Sequence, residues 1–278
     1  MTENISRLNE IAKNMRLTAL KMALGAGHNG AHLGPAFSCI EILATLYCSI
    51  IKHDANNPNW PDRDRVLISK AHCVLAYYTA LHEAGYISMD ELMTFEKPGS
   101  NLAGHPSMDI NRGFEYSGGS LGMALSVGIG MAIDAITAGR RHKIYVLLGD
   151  GECNEGSIWE AFLAAPNFKL NNLVVIVDMN KLQYDGTTEE IMDLGNMKDK
   201  LRAFGWIATE VNGHDIGALL DAFSLVCDKP HIILADTVKG KGVSFMENVR
   251  EWHHSTLSQA QYDIATAEIL EGGNVCKN

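Results

Sequence analysis

The sequence has 278 residues, of which 46% are hydrophobic and 20% are charged, so the chain can form a globular fold with a sizeable core. The formal net charge is −10 and no run of five basic residues occurs, which argues against a nucleic-acid partner. No apolar run approaches the roughly 20 residues needed to span a bilayer, so a membrane protein is not expected.

The cysteines and the N-terminus give no sign of an exported protein. The six cysteines form no C-x-x-C pair, so we expect reduced thiols rather than a disulfide framework or a structural zinc site. The first ten residues, MTENISRLNE, lack the basic-then-apolar pattern of a signal peptide. These features predict a soluble cytoplasmic protein.

The N-terminal part of the chain predicts two helices. Leu8, Ile11, Met15, Thr18 and Met22 recur at steps of three and four residues, as in an amphipathic helix. A glycine-rich turn follows at 25–30, and a second apolar helix is expected over 35–51. The composition of 56–64 then predicts a loop.

From residue 66 onward, short apolar runs alternate with segments long enough for helices. The predicted strands are 66–68, 144–148, 173–177, 206–211 and 231–235, and the predicted helices are 71–84, 121–138, 159–165 and 216–226. This alternation predicts an α/β fold in which a mainly parallel sheet carries helices on both faces. No linker or internal repeat divides the chain, so we expect one domain over residues 1–278.

The turn at 25–30 matches the glycine pattern of a dinucleotide-binding loop. That pattern requires a strand before the glycines, whereas here a predicted helix precedes them, so a nicotinamide cofactor is not expected. In a parallel sheet, ligands bind beyond the carboxyl ends of the strands. Four of the five strand-end loops carry chemically useful residues: SKAH, GDGECNEG, DMNKLQYDG and DTVKGKG.

Two of these loops predict a site for a metal ion and a phosphate. Gly149 and Gly151 lack a Cβ and would let the backbone approach a phosphate closely. Asp150 and Asn180 offer a carboxylate and an amide oxygen, which suit Mg²⁺. Taken singly, each motif could be an ordinary turn or loop cap. Together they are typical of thiamine diphosphate enzymes, which this sequence resembles.

Within that superfamily, the chain resembles the N-terminal half of transketolase over nearly its whole length. The matching segments are GHNG at 27–30, SKAH at 69–72, GHP at 104–106, GGSLG at 118–122, GDG at 149–151, DMN at 178–180, KGKG at 239–242 and WH at 252–253. The resemblance implies the thiamine diphosphate-binding fold. It also implies that Asp150, Asn180 and the Leu182 carbonyl hold Mg²⁺, for which Ca²⁺ or Mn²⁺ could substitute. The implied cofactor-binding residues are His72, Gly119, Leu121, Gly149, Asp150, Gly151, Glu152, Asn180, Lys239 and His253.

The resemblance further implies that His28, His72, His105 and His253 surround the reacting carbon. A histidine pKa near 6.5 suits proton transfer at neutral pH. His105 is expected to hydrogen-bond the donor carbonyl, His28 and His253 to contact substrate hydroxyls and move protons, and Lys239 to help place His253. The remaining histidines are interpreted as structural: His32, His53, His82, His142, His214, His231 and His254. His32 stands where many relatives carry proline or a small residue, so the rim of the site could differ.

Two carboxylates and the length of the chain suggest an assembly. Glu155 and Glu160 could be ordinary charges near a helix start, but the resemblance implies that they link two active sites across a dimer interface. In transketolases the glutamate that activates the cofactor lies in a following domain of the usual roughly 100 to 200 residues, for which no room remains after His253. We therefore expect a separate C-terminal subunit that carries the pyrimidine-binding domain, in an α₂β₂ assembly.

Such a complex would transfer a two-carbon ketol (glycolaldehyde) unit from a ketose phosphate to an aldose phosphate. Four alternatives stay open. The chain could act on an unusual sulfo- or branched ketose, or be a fragment of a 1-deoxyxylulose-phosphate synthase. It could be the α-chain of a 2-oxoacid dehydrogenase, although the histidines and the KGKG and WH segments favour transketolase. A non-catalytic assembly subunit would have no need of Asp150, Asn180 and the histidine set.

Overall fold

Five parallel strands form the centre of the molecule in the computed structural model, which describes residues 2–272. They are β1 (Arg65–Ile68), β2 (Ile144–Gly149), β3 (Leu173–Met179), β4 (Ile207–Asn212) and β5 (His231–Asp236), in the order β1-β2-β3-β5-β4. Every neighbouring pair in this sheet is parallel. The predicted α/β class and the five predicted strands are confirmed.

Helices cover both faces of the sheet. They are α1 (Thr2–Ala26), α2 (Leu33–Phe37), α3 (Ile40–Thr45), α4 (Val74–Glu83), α5 (Met89–Leu92), α6 (Ala124–Thr137), α7 (Gly156–Asn167), α8 (Thr188–Met192), α9 (Met197–Phe204), α10 (Ile216–Phe223) and α11 (Gln259–Leu270). Tyr145 and Leu147 of β2 belong to one hydrophobic cluster, whereas Val146 and Leu148 belong to another. Because side chains alternate along a strand, these two cores lie on opposite faces of the sheet.

The helix predicted over 35–51 is interrupted in the structure. It begins two residues earlier as α2, breaks at Ser38 and Cys39, and resumes as α3, after which a π-helical turn covers Leu46–Ile50. Ser38 donates a hydrogen bond to the Asp178 carboxylate of β3 at 2.6 Å, and Cys39 leaves the helical region with φ −117° and ψ 14°. The side-chain contact with the sheet therefore outweighs the local helical pattern.

The helix predicted over 121–138 starts later, at Ala124. Gly122 has φ +79°, so the segment before α6 cannot be α-helical. Four helices were not predicted from the apolar pattern: α5, α8, α9 and α11. Each of them begins at a side-chain cap that the sequence does contain, such as Ser258 with Gln261 at α11.

The thiols agree with the expectation of reduced cysteines, since Cys39, Cys48, Cys73, Cys153 and Cys227 are free. Cys276 lies outside the described residues. Among the helices within 2–272, none combines the length and apolar character that crossing a bilayer would require.

Candidate active site

Asp150 and Asn180 come together at the carboxyl edge of the sheet. Asp150 follows β2 and Asn180 follows β3, and the register pairs Gly149 with Asp178, so both loops leave the sheet side by side. The Asp150 carboxylate accepts hydrogen bonds from the backbone N–H of Gly151 at 2.8 Å and of Lys181 at 2.5 Å. The second of these bonds ties the two loops to each other.

The orientation of the Asn180 amide is fixed by hydrogen bonds. Its Nδ2 donates to the Asp178 carboxylate at 3.0 Å, and its Oδ1 accepts from the backbone N–H of Leu182 at 3.1 Å. The Leu182 carbonyl accepts from Lys239 Nζ at 2.9 Å. Because an amide or carbonyl oxygen has two lone pairs, both oxygens keep capacity for a further partner.

A cavity of about 500 Å³ opens above these groups. All of the residues predicted for catalysis, cofactor binding or metal binding line it, except His28 and Glu160. Residues that were not predicted also line it: His32, Pro35, Lys70, Asn154, Gln183, Tyr184, Ile191 and Met192. Lys70 belongs to the SKAH segment after β1, so its position beyond a strand end was the signal that could have identified it.

A buried ion pair supports the floor of the cavity. Lys70 contacts the Asp178 carboxylate and also donates to the Pro35 carbonyl at 2.8 Å. Asp178 is completely buried and accepts further hydrogen bonds from the Ser38 and Thr237 hydroxyls. Burial alone would raise the pKa of Asp178, but Lys70 and these hydroxyls hold it below its ordinary value. The carboxylate therefore stays charged and keeps the Asn180 amide in place.

Glu152 connects three segments beneath the cavity. Its buried carboxylate accepts hydrogen bonds from the Ser69 hydroxyl and from the backbone N–H groups of Gly122, at 2.8 Å, and Gly149, at 3.2 Å. Burial raises the pKa of Glu152 in spite of these bonds. The predicted cofactor-binding residue therefore lines the cavity, yet its carboxylate oxygens already bind the protein itself.

Three predicted histidines and one predicted lysine line the same cavity: His72, His105, His253 and Lys239. The imidazoles of His72 and His253 are stacked with ring centroids 5.0 Å apart, and Lys239 Nζ lies 2.8 Å from His253 Nδ1. Lysine only donates hydrogen bonds, so Nδ1 is the acceptor and neutral His253 carries its proton on Nε2. His105 is exposed and also lines the cavity.

The expected imidazole pKa near 6.5 does not hold for His253 and His72, which are half-buried. Burial, and then the neighbouring Lys239 charge, lowers the pKa of His253 to about 3. Burial, and then Lys70, also lowers the pKa of His72 well below its ordinary value. Both rings are therefore neutral at pH 7 and can donate and accept hydrogen bonds, and burial outweighs the value expected from residue type alone.

His32 was interpreted as structural, but it lies inside the site. Its ring centroid is 5.7 Å from His72, 5.8 Å from His105 and 5.6 Å from His253. His254, also interpreted as structural, is 4.5 Å from His32. Two features of the sequence hinted at this position: His32 follows the GHNG segment closely, and it stands where many relatives carry proline or a small residue, at the rim of the site.

Three predicted residues remain on the surface. His28 lies in an exposed 3₁₀ turn (Gly27–Asn29) and is not among the residues that line the cavity. Glu155 and Glu160 are exposed near the start of α7, and Glu155 lines the cavity rim. Their predicted contacts with substrate and with a second active site stay predictions.

A larger groove of about 850 Å³ lies beyond the ends of β3, β4 and β5. It contains an exposed ion pair between Lys181 and Asp236 at 2.6 Å and the side chain of His214. None of the predicted site residues lines this groove. The smaller cavity combines oxygen ligands, imidazoles and buried charges, and we therefore place the candidate site there.

The donor set of the cavity fits a hard divalent cation. One carboxylate, one amide oxygen and one backbone carbonyl are the ligands that Mg²⁺ or Ca²⁺ prefers. Burial, and then the Asp178 charge, raises the pKa of Asp150 to about 6, in spite of the hydrogen bonds that it accepts from the Lys181 and Gly151 N–H groups and of the Lys70 charge. Within residues 2–272, no group of three or more His, Cys, Asp or Glu side chains could hold a metal, which leaves no site of the zinc type.

Comparison with known proteins identifies the family of the chain. Residues 8–270 match the family described as "Transketolase, thiamine diphosphate binding domain". The chain is 42% identical over 259 residues to one subunit of the apulose-4-phosphate transketolase of Phocaeicola vulgatus, covering 92% of this chain and 90% of the relative. It is 39% identical to the SqwG subunit of the 6-deoxy-6-sulfo-D-fructose transketolase of a Clostridium species, covering 90% of each chain.

Among solved structures, transketolase from Campylobacter jejuni superimposes with a TM-score of 0.89 at 28% sequence identity. The match covers 98% of this chain but only 44% of that chain, so this chain spans less than half of that transketolase. Family, relatives and fold give the same result: the chain belongs to the transketolase family and contains its thiamine diphosphate-binding domain.

Proposed function

We propose that this chain is the metal- and diphosphate-binding subunit of a two-subunit transketolase. With its partner it transfers a two-carbon ketol unit from a ketose phosphate to an aldose phosphate. The observation that carries the proposal is a single cavity lined by Asp150, Asn180 and Leu182, which have oxygen ligands to offer, and by His72, His105 and His253. Oxygen ligands and imidazoles in one cavity suit a metal-bound pyrophosphate next to a reacting carbonyl group.

Asp150, Asn180 and the Leu182 carbonyl would hold Mg²⁺, or Ca²⁺ or Mn²⁺ in its place. Gly119, Leu121, Gly149 and Gly151 line the cavity and would lie beside the diphosphate with His72. When bound, thiamine diphosphate supplies a carbon nucleophile that can attack a ketose carbonyl. The protein's contribution is to bind, orient and exclude water.

The histidines would act on the sugar through defined atoms. Lys239 keeps the His253 proton on Nε2, so this nitrogen can donate to a substrate oxygen. His105 is accessible and would hydrogen-bond the donor carbonyl oxygen, stabilising the negative charge that develops there. His28, on the exposed turn, would contact hydroxyl groups farther along the sugar.

An apolar surface next to the cavity supports a partner subunit. Leu121, Met123 and Val127 are 36%, 51% and 38% exposed on and before α6, and Leu163 on α7 is 60% exposed. These two helices pack against each other, and Glu160 is exposed on the same α7. Exposed apolar side chains on two helices that pack together are consistent with a protein interface. The partner would be a C-terminal transketolase subunit with the pyrimidine-binding domain, in an α₂β₂ complex.

The names of the relatives support this architecture and suggest the donor class. Both relatives reported above are named as transketolase subunits, one for apulose 4-phosphate and one for 6-deoxy-6-sulfo-D-fructose. We therefore include branched and sulfonated ketoses among the donors to be tested. The transketolase family assignment favours ketol transfer over the chemistry of a 2-oxoacid dehydrogenase α-chain.

Reconstitution with the partner chain tests the proposal. The complex should bind thiamine diphosphate in a Mg²⁺-dependent manner and transfer a ketol unit between sugar phosphates. Asp150→Ala should abolish cofactor binding, whereas His105→Ala should retain the cofactor and slow turnover. Asp228→Ala, which removes an exposed carboxylate outside the cavity, is the matched control and should change neither.

Several outcomes would contradict the proposal. Full ketol transfer by this chain alone would refute the need for a partner. Release of CO₂ from pyruvate without ketol transfer would refute the reaction type. Cofactor affinity of Asp150→Ala equal to that of the Asp228→Ala control would remove the metal-ligand assignment, and a complex that binds no cofactor would indicate a non-catalytic subunit.

A further inference from the structure

His32 occupies the centre of a cluster of five imidazoles, His32, His72, His105, His253 and His254. Its ring centroid lies within 5.8 Å of each of the other four. His32 is the residue that precedes α2, and Ala31 pairs with Ser255 in an isolated β-bridge. The backbone on both sides of His32 is therefore held in place, and the ring has a defined position.

Two neighbouring cavities share His32 in their lining. The first contains Asp150 and Asn180, and the second has a volume of about 460 Å³. The second cavity is also lined by Asn29, Glu96, His105 and His254, and its described lining contains no lysine or arginine. A site with imidazoles and a carboxylate but no cation suits the hydroxylated part of a sugar better than its phosphate.

The His32 ring has free hydrogen-bonding capacity. Neither of its nitrogens makes a hydrogen bond to any residue within 2–272, whereas His253 Nδ1 is bound to Lys239. Burial, followed by His254, His105 and Lys239, lowers the pKa of His32 to about 3. A neutral imidazole has one donor and one acceptor, which matches a hydroxyl group on both counts.

We propose that His32 is a specificity-determining residue whose imidazole hydrogen-bonds a hydroxyl group of the sugar substrate where the two cavities meet. This inference rests on the proposed ketol transfer and identifies which part of the sugar this chain recognises. His32 acts on binding and orientation of the sugar and has no part in holding the cofactor. Its contribution should therefore depend on the hydroxyl pattern of the sugar.

The test uses the reconstituted complex with His32→Ala and His32→Gln, and with His82→Gln as control. His82 hydrogen-bonds the Ile87 carbonyl and lines neither cavity. Three quantities are measured: thiamine diphosphate affinity in the presence of Mg²⁺, and kcat and KM for ketoses and aldoses that differ in single hydroxyl groups. Glutamine offers an amide donor and acceptor in place of the imidazole, so it tests rescue.

We expect His32→Ala to lower kcat/KM by about 10- to 100-fold for sugars that carry the recognised hydroxyl, and much less for the deoxy analogue. His32→Gln should recover part of the loss, and all variants should bind the cofactor like the wild type. Equal losses for all sugars, an altered cofactor affinity or unchanged kinetics would overturn the role of His32 alone. A wild-type complex without ketol transfer would overturn the proposed function and this inference with it.

Discussion

Replacing Asp178 by asparagine tests the buried ion pair beneath the candidate site. The Asp178 carboxylate accepts hydrogen bonds from Ser38, Lys70, Asn180 and Thr237, and neither member of the pair with Lys70 is accessible to solvent. Asparagine has nearly the same shape but no charge. The substitution therefore leaves the Lys70 ammonium buried without a compensating negative charge, and its remaining partners, which include the Pro35 carbonyl and the Ser38 hydroxyl, are all neutral.

The expected cost follows from burial. Removing one partner of a buried ion pair costs about 3–5 kcal/mol, because the remaining charge is uncompensated. Asp178→Asn should lower the free energy of unfolding by that amount. Lys70→Met combined with Asp178→Asn removes both charges and should cost less than the sum of the single changes, with a coupling of roughly 1–3 kcal/mol.

Urea unfolding of the purified chain, followed by tryptophan fluorescence and circular dichroism, measures these free energies. The exposed pair of Lys198 and Glu210, 2.7 Å apart, is the control, and Lys198→Met should cost less than about 1 kcal/mol. The explanation would be refuted if Asp178→Asn cost no more than the control. Additive effects of the two single changes would equally show that the charges are not coupled.

Two further predictions concern a glycine and a second buried pair. Gly122→Ala should destabilise the chain by roughly 1–3 kcal/mol, because φ at Gly122 is +79° and the added Cβ would lie 2.8 Å from the Ser157 hydroxyl. The control is Gly130→Ala on α6, where a Cβ would enter open space, and it should be neutral or stabilising. Equal urea midpoints for the two variants would contradict this prediction. Burial would raise the pKa of Glu41, but Arg16 and His214 hold it at about 2. Because the pKa of Glu41 is lower in the folded chain than in the unfolded chain, ionised Glu41 stabilises the fold by roughly 3 kcal/mol. This contribution is fully present above about pH 4.5 and is lost as the pH falls toward 2. The free energy of unfolding should therefore depend less on pH between 2 and 4.5 in Glu41→Gln than in the wild type. A pH profile identical to that of the wild type would contradict the assignment.

The strands could be predicted because their signal is local. Residues 144–148 and 173–177 are continuous apolar runs, which is the pattern of a strand that is buried on both faces of a parallel sheet. The carboxyl-end rule then placed Asp150 and Asn180 at one edge of the sheet, since both motifs directly follow their strands. The helix boundaries were less predictable, because Ser38 binds Asp178 across the fold and Gly122 adopts a positive φ to fit against Glu155 and Ser157.

The sequence by itself therefore determined the parallel sheet, the family and the pair of strand-end loops, because each can be identified from short segments of consecutive residues. Only the tertiary structure decided which histidines meet: His32 and His254 are far apart along the chain, yet their rings lie 4.5 Å from each other. The tertiary structure also decided the charge of the His32 and His253 rings, since burial and neighbouring charged groups lower imidazole pKa values that residue type alone places near neutrality. Proximity and desolvation depend on the packing of distant segments, and no spacing in the sequence encodes them.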